Sequence, residues 1–315
     1  MTKKLLFAVT AALAISSCTQ VEVDEVATQT KEPIRFEQFV GKATRGDVVT
    51  NDNLKEFDVF VKKYKADGTG EEVVKTTVTK KNGTWTPDRV MYWEPGAKYC
   101  FAAVYAVSHS AHYRNFKFDV TSETAYALSY EIFYDNARSE DGSMDVVAAI
   151  CPAAIEAKAS GNEPVQFTFK HIMAKVQFTI TNGNEEEELN LPEVEFARTG
   201  VSSFTLANTD SRPTWQNGDA SFPLPTMFND ITIPASESKT MTIFVIPQDG
   251  TVYQPNLTIK RERTVGDRLQ YNLLTDKVKE WEAGKAYNYN LTINQERVKF
   301  GVTVKDRTEN GEVNL

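Results

Sequence analysis

The sequence is poor in histidine and cysteine. Only three histidines and three cysteines occur among 315 residues. It has no CxxC pair, no HExxH helix and no glycine-rich nucleotide loop, the motifs that mark redox, zinc-protease and nucleotide sites. Beyond the N-terminal region, no apolar run approaches the roughly 18 residues that a membrane-spanning helix needs. The sequence therefore indicates no enzyme, and we expect no cofactor, no metal site and no second membrane segment.

Basic residues are fewer than acidic ones. The chain has 35 basic and 43 acidic residues, which gives a formal net charge of −8. Nucleic-acid binding needs a basic surface, so nucleic acid is excluded as the main partner. The 18 phenylalanines and 12 tyrosines, together with many valines and threonines, favour a folded protein rich in strands.

The first residues indicate export. Two lysines precede the apolar run Leu5–Ile15, which is too short to cross a bilayer and typical of a signal peptide. Small residues then lead to Cys18, as in a bacterial lipobox. We expect residues 1–17 to be removed, Cys18 to be acylated in the outer membrane, and residues 18–32 to form a lipidated tether. The alternative is an ordinary signal peptide followed by a chance cysteine.

Apolar and polar residues alternate with the period of β-strands over most of the chain, and no long stretch has the period of a helix. Dipeptides such as Asn82-Gly83 predict hairpin turns between the strands. The clearest half-buried strand is 298–305. We therefore predict an all-β protein, with two transthyretin- or immunoglobulin-like β-sandwich domains in tandem.

The domain boundary is predicted at a segment rich in alanine, serine and glycine, between Pro152 and Pro164. The first sandwich would comprise residues 33–155 and the second residues 163–315, joined by a linker at 156–162.

Cys100 and Cys151 allow two alternatives. Export places them where disulfides form, but each lies in an apolar run, which is typical of a buried free thiol.

Four stretches carry a resemblance to a known family. They are 83–85 with 91–93 and 99–105; 167–176 (FTFKHIMAKV); 281–291 (WEAGKAYNYNL); and the lipobox with Ala43-Thr44-Arg45 after it. In order and spacing they resemble the fimbrillins, the lipoprotein precursors of type V pili in Bacteroidales-type bacteria.

The resemblance implies a pilus subunit that assembles by donor-strand exchange. A surface Arg-specific protease would remove the lipidated N-terminal segment with its first strand. The exposed groove would then accept a strand from another pilus subunit, through main-chain hydrogen bonds and side-chain pockets. The protein would be held in the outer membrane before cleavage and in the fimbrium afterwards.

The resemblance also implies roles for particular residues. The cut would fall between Arg45 and Gly46, in a segment expected to be accessible. Arg35 is the weaker candidate because it lies inside a strand pattern. The removed strand would fill the groove with Ile34, Phe36 and Val40. The donor strand would fill it with Val298, Phe300, Val302 and Val304.

Other patterns have simpler explanations. His109 and His112 lack a third metal ligand, Glu185–Glu188 reads as a solvated loop, and His171 suits a structural hydrogen bond. The tripeptide Arg45-Gly46-Asp47 spells an integrin motif, which is frequent by chance. The main alternative function is a surface lipoprotein that binds a host glycan or protein without polymerising; a glycan-processing enzyme is a weaker alternative.

Overall fold

The computed structural model describes residues 31–40, 49–106, 113–133, 145–199, 201–217, 223–261, 268–294, 298–306 and 312–314. Within these ranges the chain forms twenty-one β-strands and no helix, so the all-β prediction is confirmed. The strands are β1 (Phe36–Val40), β2 (Glu56–Tyr64), β3 (Val74–Lys81), β4 (Thr84–Pro87), β5 (Lys98–Ala106), β6 (Tyr113–Ser122), β7 (Ala125–Phe133), β8 (Val146–Ile150), β9 (Ile155–Glu156), β10 (Val165–His171), β11 (Ala174–Asn182), β12 (Leu189–Thr199), β13 (Val201–Ala207), β14 (Thr214–Asn217), β15 (Pro223–Ile233), β16 (Ser238–Val245), β17 (Asn256–Lys260), β18 (Arg268–Asn272), β19 (Lys285–Ile293), β20 (Val298–Asp306) and β21 (Glu312–Asn314).

The largest sheet has the order β1-β10-β8-β5-β2-β3-β4, with β9 paired to β5. All seven strands of this order contribute side chains to one apolar cluster, so the sheet wraps around it. The hairpin between β3 and β4 turns at Asn82 and Gly83, which have φ values of 52° and 83°. Two positive φ angles are what a tight hairpin turn requires, as the sequence predicts.

A four-stranded sheet, β14-β13-β7-β6, packs on the opposite face of the largest sheet. The middle of β5 is therefore buried on both faces: Phe101 and Ala103 face one cluster, while Ala102 and Val104 face the other. Two-sided burial explains why this stretch is almost continuously apolar instead of alternating.

The other two sheets have the orders β16-β11-β19-β20-β21 and β15-β12-β17-β18. They enclose a separate apolar cluster that includes Phe178, Phe196, Trp281 and Tyr289. The inward residues of β11 alternate with half-buried ones, which is the pattern of a strand that covers a core with one face.

Strand pairing crosses the boundary expected at 156–162. Strand β10 pairs with β1 and β8, and β13 pairs with β7, although β10 and β13 follow the expected linker in sequence. Within that linker, Ala157 and Asn162 are buried. The continuous pattern from 165 to 180 is divided between two sheets, because β10 ends at His171 and β11 begins at Ala174. The division into two sandwiches, and their type, stay predictions.

Cys100 and Cys151 are both buried free thiols, not a disulfide. They lie close together, since the Cys151 N–H donates to the Phe101 carbonyl at 3.0 Å. Cys100, however, faces the cluster beneath β6 and β7, whereas Cys151 faces the cluster inside the largest sheet. Adjacent strands that direct two thiols to opposite faces of one sheet do not bring the sulfurs together. Burial raises the pKa of each thiol to about 12.

Candidate functional site

The candidate site is the edge of the largest sheet formed by residues 32–40, which we call the first-strand segment. Strand β1 runs parallel to β10, in a register that places Phe36 opposite Val165 and Val40 opposite Phe169. The two strands lie far apart in the sequence. Because β1 is the first strand in the sheet order, only one of its edges carries a continuous ladder.

The apolar side chains on the inward face of the first-strand segment are buried. Ile34, Phe36 and Val40 are 2%, 3% and 0% exposed. The Phe36 ring stacks on Phe167 with centroids 6.1 Å apart and meets Phe101 edge-on at 6.3 Å. The three residues expected to fill a groove therefore form part of the protein's own core.

Gln38 shares this inward face. It lies between Phe36 and Val40 and is the Cα partner of Phe167. Among the described residues, its buried Oε1 atom has no hydrogen-bond partner. A buried acceptor without a partner costs roughly 1–3 kcal/mol, so this position weakens an otherwise apolar strand.

Two asparagines hold the ends of the segment. The Asn51 side chain accepts from the Val40 N–H at 2.6 Å and donates to the Val40 carbonyl at 3.0 Å. At the other end, Asn162 donates to the Glu32 carboxylate from its backbone and side-chain nitrogens, at 3.1 and 2.7 Å. These hydrogen bonds, with that of the side chain first, lower the pKa of Glu32 below its ordinary value.

The other edge of the segment carries an isolated bridge between Pro33 and Tyr92 instead of a ladder. The Ile34 N–H donates to the Met91 carbonyl at 2.8 Å, and the Trp93 N–H donates to the Glu32 carbonyl at 2.9 Å. The described part of the segment ends at Val40, and the chain is next described at the buried Val49. The predicted cleavage residues Arg45 and Gly46 therefore lie outside the described residues, as does Cys18.

Strand β20, the expected donor, differs in its environment. It pairs antiparallel with β19 along its whole length and with β21 on its other edge. Its inward side chains are half-buried and pack against the apolar cluster that includes Phe178 and Tyr289. They are Val298, Phe300, Val302 and Val304. The Phe300 ring stacks on Tyr271 and Tyr289, with centroid distances of 5.1 and 5.7 Å.

The remaining sequence candidates show no catalytic arrangement in the described residues. His171 Nδ1 lies 3.0 Å from the Asp145 carboxylate, and both side chains are fully buried. Glu185–Glu188 is exposed. Within the described ranges, no three His, Cys, Asp or Glu side chains are grouped to hold a metal. His109 and His112 lie outside these ranges. Separately, the described residues include no helix long and apolar enough to cross a membrane.

Sequence reasoning missed the residues that control the first-strand segment. Asn51 and Asn162 look like ordinary turn residues, and Gln38 breaks the alternation that singled out its neighbours. A polar residue at an inward position was the one available signal for Gln38.

The described residues thus define an all-β protein of packed sheets, closed at one edge by a strand from its N-terminal region. The model of the fimbrillin-like family matches residues 42–306. The chain belongs to the fimbrillin-like family, which confirms the resemblance seen in the sequence. The family match begins after β1.

Three solved structures of similar fold come from Bacteroides species. A candidate cell adhesion protein of Bacteroides ovatus is 16% identical, with a TM-score of 0.56 over 88% of this chain and 98% of that chain. A candidate cell adhesion protein of Bacteroides uniformis is 16% identical, with a TM-score of 0.54 over 88% of this chain and 99% of that one. A fimbrial protein of Bacteroides vulgatus is 12% identical, with a TM-score of 0.54 and the same coverage of 88% and 99%. At these identities the likeness concerns the fold. No curated protein matches the chain.

Proposed function

We propose that this protein is a non-enzymatic structural subunit of a cell-surface pilus that supports adhesion. It is made as an outer-membrane lipoprotein acylated at Cys18, and a surface Arg-specific protease cuts it between Arg45 and Gly46. Subunits then polymerise by donor-strand exchange and pass into the fimbrium. Membership of the fimbrillin-like family supports the fimbrial class, and the environment of β1 supports the mechanism.

One observation carries the proposal: β1 is a core strand that is connected to the rest of the sheet through the segment containing the cut site. After cleavage, only non-covalent contacts hold the first-strand segment. Loss of Ile34, Phe36 and Val40 uncovers a groove lined by Phe101, Phe167 and their neighbours, which we call the acceptor groove. Three buried side chains of this size contribute on the order of 5–8 kcal/mol, so an empty groove strongly favours a new strand.

The edge of β10 provides backbone hydrogen bonds for the incoming strand. Its backbone groups from Val165 to Phe169 pair with β1 and lose their partners when β1 leaves. A strand from another subunit restores these hydrogen bonds and buries alternate side chains. Strand β20 is the donor, and it must first separate from β19.

The test is cleavage of the full-length precursor by an Arg-specific endopeptidase, followed by electrophoresis without heating. We expect the wild-type protein to form a ladder of oligomers that collapses on boiling. Arg45→Ala removes the cut site and is expected to abolish the ladder. Lys42→Ala, in the same segment, is the matched control and should assemble like the wild type.

Two results would contradict the proposal. Normal assembly of Arg45→Ala would remove the assigned cut site. A protein that is cut after Arg45 but stays strictly monomeric would instead favour a non-polymerising surface lipoprotein that binds a host glycan or protein.

A further inference from the structure

The inward residues of β1 and β20 follow the same order of side chains. Along the first-strand segment they are Ile34, Phe36, Gln38 and Val40; along β20 they are Val298, Phe300, Val302 and Val304. In both strands the second inward residue is phenylalanine and the others, Gln38 apart, are β-branched aliphatic residues.

We propose that the acceptor groove binds β20 of a second copy of this chain parallel to β10, in the register that places Phe300 where Phe36 lies. In this register Val302 takes the position of Gln38. The inference rests on the proposed function and specifies the partner strand, its direction and its register.

The pocket of Phe36 determines the direction. This pocket lies between the rings of Phe101 and Phe167, so it is shaped for an aromatic side chain. The parallel register fills it with Phe300. The reverse direction would place Val302 there and leave part of the pocket empty, which is unfavourable in a close-packed core. Shifted by two residues to keep Phe300 in the pocket, the reverse direction would bring the charged Glu296 to the fully buried position of Val40.

The outward face supports the same direction. Arg35 donates from Nη2 to the Asn162 carbonyl at 3.2 Å. The parallel register places Lys299, another long cation, at the position of Arg35. The reverse direction would place the short side chain of Thr303 there, and the Asn162 carbonyl would lose its cationic donor.

Gln38 makes the groove bind β20 more tightly than β1. In the precursor, a buried polar atom of Gln38 lacks a partner among the described residues. Val302 at the same position has no polar group to desolvate and adds apolar contact with the groove. Strand β20 is therefore the stronger ligand of the groove, and Gln38 makes β1 replaceable.

Cross-linking tests the register. Phe39 is the Cα partner of the exposed Thr168, and the proposed register puts Thr303 in that place, whereas the reverse direction puts Lys299 there. A short bifunctional thiol reagent should therefore join subunits of the cleaved Thr168→Cys/Thr303→Cys protein. Thr168→Cys/Lys299→Cys is the matched alternative, and the single-cysteine variants are the controls. The native thiols are buried, with pKa values raised to about 12, so they do not compete.

The outcomes separate the inference from the proposed function. Cross-links in the Thr303 variant alone, and only after cleavage, support it. Cross-links in the Lys299 variant, or normal polymers with no cross-link in either, overturn it while donor-strand assembly stands. Wild-type protein that is cut but never polymerises would refute the proposed function itself.

Substitution of Gln38 tests whether this residue makes β1 replaceable by β20. Gln38→Val should slow the release of cleaved β1, and the growth of polymers, by about tenfold or more. Its outward neighbour provides the control: Glu37→Gln keeps a side-chain oxygen for Gln166, which donates to Glu37 at 2.6 Å, and should polymerise at nearly the wild-type rate. Equal rates for Gln38→Val and the wild type would overturn the role of Gln38. The reciprocal variant Val302→Gln should assemble into polymers that dissociate at a lower temperature than wild-type polymers, and unchanged polymer stability would count against the register.

Discussion

Strands β1 and β20 present the same kind of apolar face to very different surroundings. The inward side chains of β1 are 0–3% exposed, apart from the half-buried Gln38, yet β1 has a continuous ladder on one edge only. Strand β20 is half-buried on its inward face but pairs with strands on both edges. Strand β1 is strongly buried and has a ladder on one edge; β20 is half-buried, with a full ladder on one edge and a three-residue ladder at Thr303–Lys305 on the other.

If the proposed function holds, this difference explains how the folded precursor can keep β20 available as a donor strand. In the proposed mechanism, the acceptor groove, which buries Ile34, Phe36 and Val40, binds a replacement strand with matching side chains because the apolar face of a half-buried strand becomes more buried there. In its own sheet, β20 leaves part of that apolar area exposed. Under the proposed function, this contrast contributes to the transfer of β20 into the acceptor groove once β1 is no longer covalently attached.

The largest expected effect distinguishes the two phenylalanines. Phe36→Ala should destabilise the uncleaved precursor by about 3–5 kcal/mol, and Phe300→Ala by roughly half as much, because Phe36 is fully buried and Phe300 is not. In polymers the order should reverse, since Phe36 has been removed and Phe300 fills its pocket. Urea unfolding of the precursor and thermal dissociation of polymers measure the two effects. Polymers weakened by Phe36→Ala would contradict removal of β1.

A smaller effect concerns the two hydrogen bonds between the Asn51 side chain and the Val40 backbone, which we call the clamp. Asn51→Ala removes both hydrogen bonds to the Val40 backbone and should weaken the hold on β1 by about 1–3 kcal/mol. After cleavage, β1 should leave faster, as followed by mass spectrometry of the remaining complex. Asp52→Ala, one residue away, should release β1 at the wild-type rate; a similar acceleration in both variants would mean that the turn, and not the clamp, is responsible.

A smaller effect still is expected at Gly301 in the middle of β20. A Cβ atom added there meets no atom within 4 Å, and glycine in a strand costs about 0.5–1 kcal/mol relative to alanine. Gly301→Ala should therefore hold β20 more firmly on β19 and slow polymer growth severalfold. Growth kinetics after synchronous cleavage measure this, and unchanged kinetics would indicate that separation of β20 does not limit assembly.

The smallest effect is a pH dependence of the first-strand segment. Hydrogen bonds from Asn162 lower the pKa of Glu32 from its usual 4.5. A carboxylate whose pKa is lower in the folded state stabilises that state above its unfolded pKa, and loses this contribution as the pH falls through the folded value. Cleaved β1 should therefore leave faster at about pH 3.5 than at about pH 6. Glu32→Gln should reduce that ratio, and an identical ratio in the variant would exclude Glu32 as the cause.

Alternation along the chain predicts which residues of these strands face inward. It predicts the inward positions of Ile34 and Phe36, and the half-buried face of β20; Val40 is assigned from the family resemblance. It does not predict the partner of a strand, because the period of a strand is the same whichever sheet it joins. The parallel pairing of β1 with β10, across more than a hundred residues, is a property of the folded chain.

The positions that the sequence could not assign depend on both faces of a sheet or on distant partners. Cys100 and Cys151 could be predicted as buried, but their opposite directions follow from β5 having a core on each side. Asn162 lies in a stretch with the composition of a linker, yet it is buried and holds Glu32. Whether the inward Gln38 has a partner depends on side chains brought near it only by folding.

The central claim is that the precursor loses β1 before its subunits join. The most direct test is the intact mass and N-terminal sequence of subunits isolated from polymers on the cell surface. We expect chains that begin at Gly46 and lack the lipid and the first-strand segment. Polymerised chains that begin at acylated Cys18 would contradict the claim, because β1 would still occupy the groove assigned to the donor.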